Sequence, residues 1–117
     1  MGVNVFFAGV GITNYQAACR WYERLLGRPP DLLPNDIEAA WRFSDTAWMY
    51  IIVDADRAGN ALMILIIDDL DQQVAALRER GFVPDKIEDV PATYRRAYFR
   101  DLDGNTIGFT QVVAAAG

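Results

Sequence analysis

The sequence predicts an α+β fold made from two copies of one strand–helix–strands unit. Apolar runs of strand length alternate with two stretches of helical periodicity, and each helical stretch lies between a capping residue and a glycine. The strand, the cap and the helix of the first half return about 55 residues later in the same register, which is the pattern of an internal repeat. The matched pairs are Phe7 with Leu62, Ile12 with Ile67, Thr13 with Asp68, and Asn14 with Asp69.

The first copy opens with a strand and a helix. The apolar residues 3–8 predict the strand, and Thr13 begins a helical pattern with Gln16 at the spacing of a capping box. Gly27 ends that helix, because glycine readily adopts the left-handed conformation found at helix C-termini. The apolar face of the helix is formed by Tyr15, Cys19, Tyr22 and Leu26.

A hairpin follows in the first copy. The residues around Pro34 and Asn35 predict a loop, since both are turn-forming types. Residues 38–43 and 47–53 are rich in aromatic and β-branched side chains and predict two strands joined by a short turn. Residues 57–60, with their glycine, predict the connection to the second copy.

The second copy repeats this order of elements. Residues 62–67 predict a strand, Asp68 or Asp69 caps a helix, and Gly81 ends it. The helical face is formed by Leu70, Val74 and Leu77. Three more strands are predicted at residues 82–87, 94–100 and 106–112, with a tight turn at Asp103 and Gly104 and a frayed tail at residues 114–117. The closing strand pairs also match, Phe43 with Phe99 and Tyr50 with Gly108.

Length and composition indicate a single globular domain. The chain has 117 residues, of which 52% are hydrophobic and 23% charged. We expect one domain over residues 1–117, with a first module at about 1–57 and a second at about 58–117. A chain of this length buries only about two-thirds of its unfolded surface, so a partner chain would stabilise a fold that contains a cavity. We therefore expect a homodimer.

Charge and hydropathy exclude several classes of partner. The formal net charge is -5 and no basic run is present, which argues against a nucleic-acid partner. The apolar runs are far shorter than the roughly 20 residues that span a bilayer, and no basic-then-apolar leader opens the chain. We expect no membrane association and a cytoplasmic location. The single cysteine, Cys19, agrees with a reducing compartment.

Three segments resemble one known family. Residues 11–27 (GITNYQAACRWYERLLG), 66–82 (IIDDLDQQVAALRERGF) and 97–109 (AYFRDLDGNTIGF) are similar to the vicinal-oxygen-chelate superfamily of glyoxalases, bleomycin-resistance proteins and extradiol dioxygenases. The resemblance implies two βαβββ modules that form a cupped mixed sheet, frequently in a dimer whose chains complete each cup. The alternative fold is a ferredoxin-like βαββαβ sandwich, which the extra strands after each helix disfavour.

The resemblance also locates the family's metal ligands, usually histidine or glutamate. The corresponding positions are Phe7, Tyr50, Leu62 and Gly108. The chain contains no histidine, and residues 3–13, 62–67 and 106–113 contain no carboxylate. Because zinc, iron and nickel sites are built mainly from imidazole, thiolate and carboxylate, we expect no metal and no other cofactor. The alternative is an unconventional metal site built from Glu38, Asp54 or Glu88.

Without a metal, the property that remains is binding. If the family's inward positions carry over, Phe7, Trp48, Tyr50 and Leu62 line an apolar cup by strand alternation. The same alternation puts Arg96 on one face with Tyr94 and Tyr98, where it could hold an anionic or carbonyl-bearing ligand. We predict a metal-independent protein that binds a hydrophobic or aromatic small molecule, with drug resistance by sequestration as one role that the resemblance implies.

Two other functions are compatible with the sequence. The first is a metal-independent lyase or isomerase in which Tyr50 or Tyr98 donates a proton and Arg96 polarises a carbonyl. It is weaker, because a tyrosine with an ordinary pKa of about 10 is a poor acid at neutral pH. The second is an interaction module whose cup is filled by its own aromatic side chains. We expect binding rather than catalysis.

Overall fold

The computed structural model describes residues 1–113 as two compact units. Unit 1 consists of Met1–Ala61 with Leu102–Asn105, and unit 2 consists of Leu62–Asp101 with the chain from Thr106 onward. The expected fraying of residues 114–117 lies outside the described residues. Neither helix in residues 1–113 has the length and hydrophobicity needed to span a bilayer.

Both units have the element order βαβββ, as predicted. Unit 1 contains β1 (Phe6–Ile12), α1 (Tyr15–Leu26), β2 (Leu32–Asn35), β3 (Glu38–Arg42) and β4 (Ala47–Val53). Unit 2 contains β5 (Leu62–Ile66), α2 (Leu70–Glu79), β6 (Lys86–Val90), β7 (Tyr94–Arg100) and β8 (Thr106–Val112). The sheets have the matching orders β1-β4-β3-β2 and β5-β8-β7-β6. The pairs β1 with β4 and β5 with β8 are parallel, and all the other neighbouring pairs are antiparallel. The α+β class is confirmed.

The repeat extends to polar contacts. The side chains of Asn14 and Asp69 cap the two helices by accepting backbone N–H bonds from Ala17 and Gln72, both at 3.0 Å. A second shared contact is a carboxylate that accepts the N–H of an arginine on the third strand of its unit. It joins Asp31 to Arg42 at 2.7 Å in unit 1 and Asp85 to Arg100 at 2.8 Å in unit 2. The two units therefore share specific anchoring bonds as well as an element order.

Each helix covers one face of its own sheet. In unit 1 the buried side chains of α1 pack on β4, and Tyr22 lies 6.1 Å from Trp41 between ring centroids. Trp41 is fully buried and its indole N–H donates to the carbonyl oxygen of Arg28 at 3.0 Å. In unit 2, α2 packs on β7 and β8, where Phe99 lies 5.9 Å from Phe109 in an edge-to-face contact. The opposite face of each sheet is left without a helix.

Three strands differ from the sequence prediction. The strand predicted at residues 3–8 lies instead at Phe6–Ile12. The segment with Pro34 and Asn35 forms β2 rather than a loop, which an edge strand permits because one side of it needs no ladder bonds. The strand predicted at residues 82–87 lies instead at Lys86–Val90. Phe82 is buried, and its N–H continues the end of α2 by donating to the carbonyl oxygen of Leu77 at 2.9 Å. The apolar Phe82 therefore belongs to a buried helix exit rather than to a strand.

Two positional assignments also change. Asn14, not Thr13, caps α1, while Thr13 donates to the carboxylate of Asp103 through its N–H at 3.1 Å and its hydroxyl at 2.6 Å. The strand registers confirm that Tyr50 corresponds to Gly108. They also show that Trp41, rather than Phe43, corresponds to Phe99, since Trp41 pairs with Met49 as Phe99 pairs with Ile107.

Candidate functional site

The face of the unit 1 sheet that α1 does not cover carries three aromatic rings. We call Phe7, Trp48 and Tyr50 the aromatic face. Along β4 the fully buried Met49 and Ile51 alternate with the half-buried Trp48 and Tyr50. Phe7 stacks on Trp48 with centroids 5.3 Å apart and planes 19° apart, and it lies 6.4 Å from Tyr50. Because Phe7 is 47% exposed, ring surface remains available to a ligand.

A glycine makes this arrangement possible. The parallel register of β1 and β4 sets Phe7 beside Trp48 and Gly9 beside Tyr50. A Cβ atom at Gly9 would lie 2.6 Å from the ring and the hydroxyl of Tyr50. The Tyr50 ring therefore lies across β1 at Gly9 instead of standing off the sheet. The result is a continuous aromatic surface that spans β1 and β4.

The uncovered face of the unit 2 sheet is polar. We call Tyr94, Arg96, Tyr98 and Glu88 the tyrosine–arginine cluster. Glu88 Oε1 accepts hydrogen bonds from the hydroxyls of Tyr94 at 2.5 Å and Tyr98 at 3.1 Å. Arg96 Nη1 donates to the Tyr98 hydroxyl at 3.2 Å, and the guanidinium carbon lies 4.4 Å from the centroid of the Tyr94 ring. The four side chains thus fix one another through hydrogen bonds and a cation–π contact.

Arg96 is held flat against the sheet. Its Nε donates to the hydroxyl of the buried Thr110 at 2.7 Å. A Cβ atom at Gly108 would lie 2.9 Å from Arg96 Cδ and 2.9 Å from Ile64 Cδ1, so the glycine makes room for both side chains. An arginine has five N–H donors, and the bonds to Thr110 and Tyr98 use two of them. The others remain on a guanidinium whose position is already set.

Hydrogen bonding shifts the ionisation of this cluster. The hydrogen bond from Tyr94 holds the pKa of Glu88 below its usual value, and bonding from Tyr98 and the charges of Lys86 and Arg96 add to the effect. The same bond to Glu88 raises the pKa of Tyr94, which makes it a weaker acid than free tyrosine. Hydrogen bonding to Tyr98 raises the pKa of Arg96. At neutral pH the cluster therefore combines a charged carboxylate, a charged guanidinium and a neutral Tyr94 phenol.

The predicted site residues fall into two groups. Unit 1 brings Phe7, Trp48 and Tyr50 into ring contact, and unit 2 brings Arg96 and Tyr98 into a hydrogen bond. Leu62 lies on the edge strand β5, is 66% exposed and pairs with Thr106. Ile64, on the same face of β5, has its Cδ1 beside Gly108.

The sequence prediction did not join Glu88 to this cluster, and it placed Tyr94 on the face of Arg96 without including it among the ligand contacts. Strand alternation places Tyr94 on the face of Arg96 and Tyr98, so period two along β7 was a usable signal for it. Glu88 could not be found in this way, because its strand was predicted at residues 82–87. The pairing of Glu88 with Arg96 becomes visible only in the observed register of β6 and β7.

Comparison with solved structures identifies the family. A glyoxalase/bleomycin resistance protein from Catenulispora acidiphila DSM 44928 is 35% identical to this chain, with a TM-score of 0.88, over 92% of this chain and 97% of that protein. The chain belongs to the glyoxalase/bleomycin resistance protein family. The resemblance of the three sequence segments to the vicinal-oxygen-chelate superfamily is confirmed.

Two further family structures come from Streptomyces sp. CB03234. TnmS3, an antibiotic binding protein, is 27% identical over 92% of this chain and 94% of its own, with a TM-score of 0.71. A glyoxalase/bleomycin resistance protein of the same strain is also 27% identical, over 90% of this chain and 97% of its own, with a TM-score of 0.67. The chain matches no protein-family model and no curated protein.

The residues at the family's metal-ligand positions do not fit a metal ion. According to the resemblance, those positions correspond to Phe7 and Tyr50 in unit 1 and to Leu62 and Gly108 in unit 2. None of the four supplies an imidazole, a thiolate or a carboxylate. Within residues 1–113, no group of three or more His, Cys, Asp or Glu side chains is arranged to hold an ion.

Proposed function

We propose that this family member binds a hydrophobic or aromatic small molecule without using a metal, in the manner of a sequestering resistance protein. The observation that carries the proposal is the aromatic face of unit 1, where Phe7 and Trp48 stack in the open. Stacked, half-exposed rings leave apolar surface in contact with water, and a flat ligand would remove it. The name of TnmS3, an antibiotic binding protein, supports the binding of a small molecule.

The proposed ligand contacts lie on two sheet faces, one in each unit. On unit 1 they are Phe7, Trp48 and Tyr50, which supply stacking area. On unit 2 they are Leu62, Tyr98 and Arg96, of which Arg96 would hold an oxygen of the ligand through its remaining N–H donors. Each face can be tested separately, because each is assembled entirely from residues of its own unit.

Metal independence, a homodimer and a cytoplasmic location belong to the same proposal. The donor chemistry at Phe7, Tyr50, Leu62 and Gly108 supports binding without a metal. The small size of the chain supports a homodimer, because a second copy would cover apolar surface that 117 residues leave exposed. Binding that is unchanged by a chelator and by added divalent zinc, nickel or manganese is the expected result. A metal requirement for binding would contradict this part.

The test of the aromatic face is Trp48→Ala. A well-buried ring contributes about 1.5–3 kcal/mol of transfer free energy, so the variant should weaken binding by roughly 10- to 100-fold. Isothermal titration calorimetry with a panel of polycyclic antibiotics and 2-naphthamide as a neutral probe measures this loss. Trp48→Phe should restore most of it, because a phenyl ring can still stack on Phe7.

Trp21→Ala is the matched control. Trp21 lies on α1 in edge contact with Tyr22, at a ring-centroid distance of 4.8 Å, and is not part of the aromatic face. This variant should bind the probes as tightly as the unaltered protein. The proposal is wrong if no member of the panel binds, or if Trp48→Ala and Trp21→Ala bind equally well.

A further inference from the structure

A cleft of about 400 Å³ opens on unit 2 beside the tyrosine–arginine cluster. Its walls are Asp85, Lys86, Tyr98, Arg100 and Thr106. The cross-strand pairs Lys86 with Tyr98 and Arg100 with Thr106 bring these residues to one end of the sheet. Ligand sites commonly have volumes of about 300–1,000 Å³, so the cleft could take one substituent of a drug-sized molecule.

We propose that this cleft recognises a carboxylate on the ligand, with Arg100 and Lys86 as the residues that select it. The inference rests on the proposed function, because it names the chemical class of the ligand: an aromatic organic acid. Arg100 and Lys86 are additional to the aromatic face and Arg96, which the proposed function already names.

Arg100 lines the cleft with an exposed side chain. Its backbone N–H donates to Asp85 Oδ2 at 2.8 Å, which directs that carboxylate toward the main chain. The Arg100 side chain is exposed, and within residues 1–113 its guanidinium takes part in no ion pair. A guanidinium binds a carboxylate through two parallel N–H bonds, which makes arginine well suited to this group.

The corresponding arginine of unit 1 shows the contrast. Arg42 has the same backbone bond, from its N–H to Asp31, but its guanidinium also pairs with the carboxylate of Asp45, three residues later. The residue three positions after Arg100 is Asp103, whose carboxylate accepts two hydrogen bonds from Thr13. Arg42 is therefore neutralised within its own unit, whereas Arg100 is left to bind an anion.

The lining of the cleft is more positive than negative. The whole chain has a formal net charge of -5, yet this cleft is lined by two cations and one carboxylate. Lys86 is 65% exposed, with its Nζ 3.7 Å from Glu88 Oε2 and 5.8 Å from the centroid of the Tyr98 ring. Clustered cations in a partly enclosed site attract an anion even when the protein is acidic overall. The ring of Tyr98 places an aromatic surface beside them.

The test compares two probes of nearly equal shape, 2-naphthoate and 2-naphthamide. The carboxylate should bind the unaltered protein roughly 10-fold or more tightly than the amide, as expected for a hydrogen bond to a charged group. Arg100→Gln should reduce that ratio to about three or less without changing amide binding. Lys86→Gln should reduce it by a smaller factor, because Lys86 is shared with Glu88. Raising the salt concentration should weaken naphthoate binding only.

Arg42→Gln is the matched control, since it removes the unit 1 arginine that already has a partner. This variant should keep the full preference for naphthoate. Equal binding of the two probes, or a preference that survives Arg100→Gln, would overturn the inference while leaving the proposed function intact if Trp48→Ala still weakens amide binding. Failure of both probes and the antibiotic panel to bind would overturn the proposed function itself. Far-UV circular dichroism verifies that each variant is folded.

Discussion

Unit 1 and unit 2 follow one plan on the helix side of their sheets and differ on the opposite side. Both have the order βαβββ, an Asn or Asp helix cap, and a carboxylate that holds the backbone of an arginine. On the uncovered side, unit 1 has stacked aromatic rings and unit 2 has a network of tyrosine, arginine and glutamate. The comparison teaches that folding constrains the helix-covered face of this module, while the other face is free to acquire different chemistry.

Equivalent positions show how the difference arose. The strand registers match Ala40 with Tyr98 and Tyr50 with Gly108. In each unit a large side chain lies across a glycine of a neighbouring strand, Tyr50 across Gly9 in unit 1 and Arg96 across Gly108 in unit 2. The glycine is on β1 in one unit and on β8 in the other. The two faces therefore use the same steric solution for side chains of opposite character.

The largest expected effects come from the cores, where the units should behave alike. Trp41→Ala and Phe99→Ala remove matched, almost fully buried rings from β3 and β7. Each should lower the free energy of unfolding by about 3–5 kcal/mol, because the lost apolar contacts and the cavity both contribute. Trp41→Ala should cost at least as much as Phe99→Ala, since it also leaves the Arg28 carbonyl without its indole donor. Urea denaturation measures both.

Phe43→Ala is the control for these core variants. Phe43 is 41% exposed and lies just beyond β3, so its removal should cost less than about 1 kcal/mol. If Phe43→Ala destabilises the protein as much as Trp41→Ala, the correspondence of Trp41 with Phe99 as the core ring of each unit is wrong.

Most of the fold could be predicted from the sequence because local signals agree with one another. Helical periodicity, the caps and the terminal glycines located both helices, and β-branched and aromatic runs located β3, β4, β7 and β8. β2 was missed because Pro34 and Asn35 are turn-forming residues, which only the pairing with β3 overrides. The prediction placed β6 too early because it took Phe82 as part of a strand. Phe82 is apolar because it is buried at the end of α2, and local periodicity does not distinguish that role from a strand.

From the sequence, the residues of the candidate site could be grouped only where they lie on the same strand. Alternation alone places Trp48 with Tyr50, and Arg96 with Tyr98, on one face of β4 and β7. Contacts between strands depend on register, which the sequence leaves open, so the partnership of Glu88 with Arg96 and the cleft next to Arg100 were not foreseen.

The two glycines provide a sharper test of the faces. Gly9→Ala would set a Cβ atom against the stiff ring of Tyr50, and we expect a loss of about 1–3 kcal/mol from overpacking. Gly108→Ala meets the aliphatic carbons of Arg96 and Ile64, which can adjust through more rotatable bonds than the ring of Tyr50, so its cost should be smaller. Thermal and urea unfolding compare the two variants. A larger loss for Gly108→Ala would show that Arg96, not Tyr50, is the more rigidly held side chain.

The helix caps should bring the units back to equality. Asn14→Ala and Asp69→Ala each remove one side-chain acceptor of a helix N–H, and each should cost about 1 kcal/mol. Asn14→Asp should retain most of the stability of α1, because aspartate is an equally good cap. A difference of more than about 1.5 kcal/mol between the two alanine variants would indicate that the caps are not equivalent.

The smallest effect, and the one that separates the two faces by pH, is expected at Glu88. Its pKa is lowered in the folded protein, mainly by the Tyr94 hydroxyl, so its contribution to stability is present above the unfolded value of 4.5 and is lost as the pH falls through the folded value. The pKa of Tyr94 is raised by the same bond, so its contribution is present below its unfolded value of 10.0 and is lost as the pH rises through the folded value. Glu88→Gln should therefore have a lower free energy of unfolding than the unaltered protein near neutral pH. This difference in unfolding free energy should become smaller below pH 4.5. In urea unfolding, Tyr94→Phe should show most of the same pH dependence. A difference in unfolding free energy that stays constant from neutral to acidic pH would show that the hydrogen bond to Glu88 does not stabilise the fold.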